Sequence, residues 1–189
     1  MTTLREEVRT GHGTELRWRQ PEASRRRYTL QREGVDTPLA ILDWRSLWGT
    51  FATATVGETA WTFKRTGFLR PRVTVRLAGG DDDLATFEAN WHGGGILSIA
   101  GGATFDWKVA NFWHSQWDWW DASGAELLHF ANKQGFVQQE AVVAISPDAA
   151  QLPDLELLTA LGWYLLILAA NDGAATAATT ATTAAIVTS

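Results

Sequence analysis

Hydrophobic and polar positions alternate with a period of two through the middle of the chain. In Trp61-Thr62-Phe63 and again at 105–109, apolar side chains take every second position. Alternation of this kind predicts β-strands with one buried and one solvated face. Glycine-rich segments at 79–80, 93–95 and 101–102 separate these runs and predict tight turns. Many short strands joined by tight turns indicate a β-sandwich or a β-barrel.

The alternating region also repeats itself weakly. Residues 57–64 can be laid over residues 101–108, and a period of about 44 residues holds roughly four short strands. A propeller blade has a similar period, but only about three units fit here, fewer than the four blades that a propeller needs. The pattern therefore predicts a mainly β fold, a closed antiparallel β-barrel of about 12 strands.

The C-terminal part of the chain has a different pattern. Residues 155–170 are apolar at nearly every position, which predicts a helix over about 152–170 that is buried on all sides. The apolar run from Leu157 to Ala170 spans roughly 21 Å, short of a hydrocarbon core about 30 Å thick, so burial in protein is favoured over burial in lipid. Asn171-Asp172-Gly173 predicts the end of the helix. The Ala/Thr-rich tail at 171–189 is predicted to be disordered.

Short Trp-rich strands that end in one very hydrophobic helix resemble the tubby C-terminal-like superfamily, which includes tubby, the phospholipid scramblases and the LURP-one-related proteins. The likeness is closest in Leu-Pro-Asp-Leu-Glu-Leu-Leu at 152–158 and in the repeated strands at 61–64 and 105–108. The resemblance implies that residues 1–170 form a single domain, a closed barrel that encloses the C-terminal helix. The Pro-rich and Cys-rich segments of the scramblases are absent, and no family site residue can be matched onto this chain.

Composition excludes several classes of function. With no Cys, the chain cannot form disulfides, thiolate zinc sites or iron–sulfur clusters. A formal net charge of -5 argues against a nucleic-acid partner. The first 20 residues are rich in charge and hold no apolar run of the kind found in a secretory signal. We therefore expect a cytoplasmic protein, peripheral to a membrane, with no cofactor and no nucleic-acid partner.

The 11 Trp residues are either core filler or a stacking surface. Most lie at alternating strand positions, which favours the core, but residues 113–120 form a dense cluster. If this segment is extended, His114, Gln116 and Asp118 share one face, and Trp117 and Trp119 share the other. These residues are candidates for binding a carbohydrate or another small molecule. A His and an Asp at this spacing could also ligate a metal, but no third strong ligand is evident, and no metal site is predicted. The alternative is a solvated face whose bulky groups pack on the helix.

Five basic residues are candidates for contact with lipid headgroups: Lys64, Arg65, Arg70, Arg72 and Arg76. They surround a turn with Phe68 and Leu69 at its tip. Cations beside exposed apolar groups suit an anionic membrane surface. The alternative is an ordinary solvated strand face.

No catalytic constellation is evident. His-Gly-Gly-Gly at 92–95 resembles the oxyanion element of some lipases, but the chain has no Gly-x-Ser-x-Gly elbow to accompany it. We therefore expect a non-enzymatic domain that binds acidic phospholipid at the membrane surface or acts as a scaffold. The alternative is a soluble module that binds a carbohydrate or small molecule through residues 113–120.

Overall fold

A computed structural model describes residues 4–10, 15–67, 70–134 and 139–187, and it contains a closed antiparallel barrel of twelve strands. Each strand pairs with the next one in the chain, and the first pairs with the last, which confirms the predicted closed barrel. The strands are β1 (Leu16–Arg19), β2 (Arg27–Arg32), β3 (Ala40–Trp44), β4 (Ala52–Val56), β5 (Thr59–Thr66), β6 (Arg72–Leu77), β7 (Ala85–Ala89), β8 (Gly95–Ile99), β9 (Thr104–Val109), β10 (Gln116–Asp121), β11 (Glu126–Gln134) and β12 (Gln139–Ile145). A short helix, α1 (Leu4–Thr10), precedes them. A 3-10 turn (Ala149–Gln151) and a long helix, α2 (Leu155–Val187), follow them.

Helix α2 passes through the inside of the barrel. Leu158 and Leu161 have no exposed surface, and Trp163 is 1% exposed. The segment Leu155–Ala174 is long and apolar enough to cross a membrane, yet 67% of its most apolar window is buried within the protein. A helix without a polar face needs apolar neighbours all round, and the barrel supplies them. The prediction of a mostly buried C-terminal helix is confirmed.

Aromatic side chains fill the space between the helix and the barrel wall. Trp18 stacks on Trp163 with ring centroids 5.9 Å apart, and Trp44 stacks on Tyr164 at 4.9 Å. Seven of the 11 Trp residues are buried, namely Trp18, Trp44, Trp61, Trp107, Trp117, Trp119 and Trp163. Large rings can span this gap with close packing, so the core needs no disulfide.

The predicted end of the helix is corrected. Helix α2 does not stop at Asn171-Asp172-Gly173 but continues to Val187, through most of the predicted disordered tail. Gly173 keeps helical backbone angles instead of the positive φ that ends many helices. The alanines that follow have the highest helix propensity of any residue, so the backbone continues as a helix.

The two ends of the barrel differ. Since successive strands run in opposite directions, the loops at 20–26, 45–51, 67–71, 90–94 and 110–115 share one end, where α2 leaves the barrel. We call this the exit end. The loops at 33–39, 57–58, 78–84, 100–103, 122–125 and 146–154 share the other, the entry end. Helix α1 packs against the entry end, where Leu4 is buried and the Arg5 guanidinium donates to the Pro153 carbonyl at 2.5 Å.

Gly162 tests the packing of α2. A Cβ atom at this position would lie 2.5 Å from Cζ of Phe130 and 2.9 Å from Nε1 of Trp119. We expect Gly162→Ala to lower the free energy of unfolding by about 1–3 kcal/mol, because the added methyl group overpacks the core. Urea unfolding followed by circular dichroism measures this change.

Gly173 provides the matched control. It lies in the same helix, but a Cβ atom there would meet nothing within 4 Å. Gly173→Ala should raise stability by up to about 1 kcal/mol through helix propensity. Equal stability changes for the two variants would contradict the enclosed packing of Gly162.

Candidate functional site

Large apolar side chains are exposed at the exit end of the barrel. Trp48 is 96% exposed, Trp91 is 92% exposed and Phe112 is 86% exposed. With Leu47 and Trp113 they form a set that we call the aromatic rim. These five lie in three loops of the exit end. The other two exposed large hydrophobic residues of the described chain, Leu77 and Ile96, lie in strands. Exposed apolar groups concentrated at one end mark an interaction surface.

The loop that carries Leu47 and Trp48 is braced by Arg26. The guanidinium donates to the carbonyl oxygens of Ser46 at 3.4 Å, Leu47 at 2.9 Å and Gly49 at 3.2 Å. It also lies 3.9 Å from the centre of the Trp44 ring, a cation–π contact. All three contacts are made by one nitrogen, Nη1, and together they restrain the backbone of the loop. Trp48 therefore projects into solvent from an ordered turn.

Helix α2 holds the same loop from inside the barrel. The Tyr164 hydroxyl donates to the carbonyl oxygen of Thr50 at 2.6 Å. Burial raises the pKa of the Tyr164 phenol well above its ordinary value. The hydroxyl therefore keeps its proton, and remains a donor, in alkaline solution as well as at neutral pH. The position of this exit-end loop is thus fixed by the enclosed helix.

Asn90 shapes the loop that carries Trp91. Its Oδ1 accepts from the backbone N–H of His92 at 2.9 Å and of Gly94 at 3.1 Å. This side-chain turn ends β7 at Ala89, so Trp91 does not continue the alternation of that strand into the core. The alternation that runs through Phe87 and Ala89 predicts a strand that continues to Trp91, and the structure corrects this prediction.

Asn111 shapes the loop that carries Phe112 and Trp113 in a similar way. Its Oδ1 accepts from the backbone N–H of Ser115 at 2.9 Å and of Gln116 at 3.2 Å. The Phe112 and Trp113 rings meet edge to face with centroids 5.4 Å apart. Each loop of the aromatic rim therefore has a polar side chain that holds it, and the exposed aromatics belong to ordered turns.

The two ends of the barrel also differ in charge. The described exit-end loops carry four arginines and one glutamate, a formal charge of +3: Arg25, Arg26, Arg45, Arg70 and Glu22. The entry-end loops carry eight carboxylates and no Lys or Arg, a formal charge of -8: Glu33, Asp36, Glu58, Asp81, Asp82, Asp83, Asp148 and Asp154. The chain is acidic overall, but its acidity is concentrated away from the aromatic rim.

The predicted basic residues do not form one patch. Arg72 pairs with Glu88 at 2.6 Å, and Arg76 pairs with Asp83 at 2.7 Å towards the entry end. Arg65 forms a bidentate pair with Asp172 at 2.5 and 3.0 Å, where α2 leaves the barrel. Lys64 and Arg70 are exposed and form no salt bridge within the described part of the chain. Phe68 and Leu69, predicted at the tip of this turn, lie outside the described residues.

The predicted ligand residues are divided between the two sides of the barrel wall. His114 lies in a loop with a positive φ of 51°, so the predicted extended segment begins only at Gln116. Trp119 has no exposed surface, and its Nε1 donates to the Leu158 carbonyl at 2.9 Å. It anchors α2 and cannot stack on a ligand from solvent. Trp117 faces the interior too, while Asp118 lies on the outer face of the wall.

Two cavities lie where α2 leaves the barrel. The larger, about 500 Å³, is lined by Trp113, His114, Trp117, Lys133, Gln139 and Leu166, among others. The smaller, about 240 Å³, lies beside the Arg65–Asp172 pair and shares Trp117. The larger cavity thus brings together two of the predicted ligand residues, His114 and Trp117, with Trp113 of the aromatic rim.

A second group of polar side chains lies on the outer face of β10 and β11. His129 Nδ1 lies 2.6 Å from Asp118 Oδ1, and Glu126 completes a group whose possible metal-ligating atoms all lie within 4.8 Å of one another. Spacing along the chain offers His114 as the partner of Asp118. The structure instead brings His129 to it from the neighbouring strand. Strand register supplies this contact, and sequence spacing within one segment could not have indicated it.

Comparison of the chain with models of protein families, with curated proteins and with solved structures gave no match. A barrel fold does not by itself identify a function. Evidence on function therefore comes from the aromatic rim, from the cavities where α2 leaves the barrel and from the polar group on β10 and β11.

The contrast between Trp119 and its neighbour can be tested by substitution. Trp119→Phe removes the donor to the Leu158 carbonyl inside the core, and we expect it to lower the free energy of unfolding by about 1–3 kcal/mol. Trp120→Phe is the control, since Trp120 is on the outer face and its Nε1 has no hydrogen-bond partner in the described structure. Chemical denaturation measures the free energy of unfolding of both variants. A larger loss of stability for Trp120→Phe than for Trp119→Phe would contradict the assignment of Trp119 to the core.

Proposed function

We propose that the protein is a non-enzymatic, tubby-like barrel that docks on the surface of anionic membranes through its exit end. The observation that carries this proposal is the aromatic rim, five large apolar side chains exposed on three braced loops of one barrel end. Tryptophan is enriched at membrane–water interfaces, where its apolar ring and polar N–H are both accommodated. Three of the five rim residues are Trp, and the other two, Leu47 and Phe112, each lie directly beside one in the sequence.

The distribution of charge supports the same orientation. An anionic membrane attracts the exit-end loops, which carry four arginines against one glutamate, and repels the entry-end loops with their eight carboxylates. Each basic residue near such a surface contributes about 1 kcal/mol. A net charge of -5 therefore does not oppose docking, because the acidic groups of the loops face away from the membrane in this orientation.

The basic residues that contribute differ from those predicted. Arg70 lies in an exit-end loop, and exposed Lys64 lies on the outer face of the adjoining strand. Arg45 and Arg26, which were not among the candidates, lie at the base of the Trp48 loop. Arg76 pairs with an aspartate of the entry end and is not expected to contact lipid. The proposal therefore replaces one basic strand with arginines in the loops of the exit end, which also carries the exposed aromatics.

Removal of rim tryptophans tests the proposal directly. We expect Trp48→Ser and Trp91→Ser each to weaken binding to vesicles by on the order of 1–2 kcal/mol, about 5- to 30-fold, because each ring loses apolar burial at the interface. Flotation with vesicles of phosphatidylcholine and phosphatidylserine measures the bound fraction. Both side chains are almost fully exposed, so the variants should fold as wild type does.

Leu77→Ser is the matched control, because Leu77 is 50% exposed but lies at the entry-end terminus of β6. It should bind vesicles as wild type does. Binding should also fall when salt is raised or when phosphatidylserine is omitted, since screening weakens the attraction of the arginines. Equal vesicle binding by the rim variants and the control, or no binding by wild type, would overturn the proposal.

A second candidate function is supported by the cavity of about 500 Å³ at the exit of α2. This volume lies in the range of small-molecule sites, and two Trp rings with Lys133 and Gln139 supply stacking and hydrogen bonds. Under this alternative, the protein binds a soluble carbohydrate or small molecule without a membrane.

Tryptophan fluorescence distinguishes the two functions. If the cavity binds a glycan, a panel of soluble glycans should yield a saturable change in emission that Gln139→Ala weakens and Trp48→Ser leaves intact, because Trp48 does not line the cavity. No change in emission with any glycan of the panel, together with vesicle binding, would support membrane docking over binding of a soluble glycan.

A further inference from the structure

We propose that Asp118, Glu126 and His129 form a binding site for a divalent transition-metal ion such as Zn²⁺ on the outer face of the barrel. Their possible ligand atoms all lie within 4.8 Å of one another. The site lies on the wall formed by β10 and β11 and is separate from the aromatic rim. It would be a second binding function of the protein.

A β-bulge creates the group. Residues on one strand face the same side of a sheet only when their separation is even, so Glu126 and His129 would ordinarily face opposite sides. The register between β10 and β11 shifts between Trp119 and Trp120, where Trp119 pairs with Leu128 and Trp120 pairs with Glu126. Leu127 is the extra residue, and both Leu127 and Leu128 point into the core. The bulge therefore places Glu126 and His129 together on the outer face.

Asp118 has an environment that suits a bound cation. Its side chain is 5% exposed, and its hydrogen bond within the described structure is with Nδ1 of His129 at 2.6 Å. A carboxylate removed from water needs a partner of opposite charge or several hydrogen bonds. The nearest lysine, Lys108 on β9, lies opposite Asp118 but pairs with Asp106 at 3.2 Å. A divalent ion would supply a positive charge beside Asp118, since the Lys108 ammonium group is paired with Asp106 instead.

The donor set indicates the class of ion. One imidazole nitrogen and two carboxylate oxygens suit Zn²⁺ and other borderline divalent ions better than Ca²⁺, which prefers six or more oxygens. Three protein ligands leave the fourth position of a tetrahedral ion open. Water can reach this position because Glu126 is exposed and the site opens to solvent.

Metal binding requires the three side chains to rearrange, because ligand atoms that lie within 4.8 Å of one another must close around one ion. Two ligands about 2.05 Å from a tetrahedral ion lie roughly 3.3 Å apart, whereas the imidazole nitrogen and the carboxylate oxygen are now 2.6 Å apart. A rotation of the His129 or Asp118 side chain provides the difference. Before the ion can bind at Nδ1 of His129, any proton on that nitrogen must move to Nε2 of the same ring or to solvent.

Isothermal titration of the full chain with Zn²⁺, after treatment with a chelator, tests the site. We expect one equivalent to bind and the melting temperature to rise with the concentration of Zn²⁺. Asp118→Asn, Glu126→Gln and His129→Gln should each weaken binding by at least about tenfold, because each removes a ligand. Glu126→Gln alters an exposed side chain, so this variant should fold as wild type does, and its effect on Zn²⁺ binding can be measured directly.

Two controls separate this site from adventitious binding. Glu88→Gln removes an exposed carboxylate from β7, three strands away from β10, and a His92→Gln, His114→Gln double variant removes two exit-end histidines. Both should bind Zn²⁺ as wild type does. The proposal is overturned if wild type binds no Zn²⁺, if the double variant loses binding, or if Glu126→Gln and His129→Gln bind as tightly as wild type. Vesicle binding by the Asp118, Glu126 and His129 variants should be unchanged, so this test is independent of the proposed membrane function.

Discussion

The fold depends on the burial of a helix that has no polar face. Leu155–Ala174 can be stable in water only if apolar groups surround it, and a sheet packed on one side would leave half of the helix exposed. A closed barrel covers every side and also leaves no unpaired strand edge. Twelve strands enclose more space than a helix fills, and the buried Trp, Tyr and Phe rings occupy the remainder. The high Trp content and the apolar helix are thus two parts of one packing solution.

Filling the interior with a helix restricts where binding can occur. Many β-barrels hold a ligand at their centre, but here the centre contains α2 and its aromatic neighbours. Binding groups must lie in the end loops, in the gaps where the helix leaves the wall, or on the outer face. The aromatic rim, the cavity beside Trp113 and the Asp118–His129 pair occupy these three places.

The sequence predicts those features that local patterns encode. Alternation identified most strands, and the run of apolar residues identified α2, because burial imposes a fixed period on each element. The position of Trp91 was mispredicted because a hydrogen-bonded turn at Asn90 ends the strand at Ala89, two residues early. The grouping of Glu126 with His129 was not predicted, because a bulge reverses the side on which a residue lies. The end of the barrel at which a loop lies depends on how many strands precede that loop. The number of strands is known only from the closed barrel itself.

The core and the proposed docking surface are mechanically connected. Tyr164 donates from the helix to the Trp48 loop, and Arg65 on the wall pairs with Asp172 where the helix leaves the barrel. A shift of α2 along its axis would break both contacts. Because α2 is held by close packing with aromatic rings along its length, such a shift is strongly opposed. A surface carried on loops therefore gains the rigidity of the core, and rim side chains held in place lose less conformational entropy when they bind.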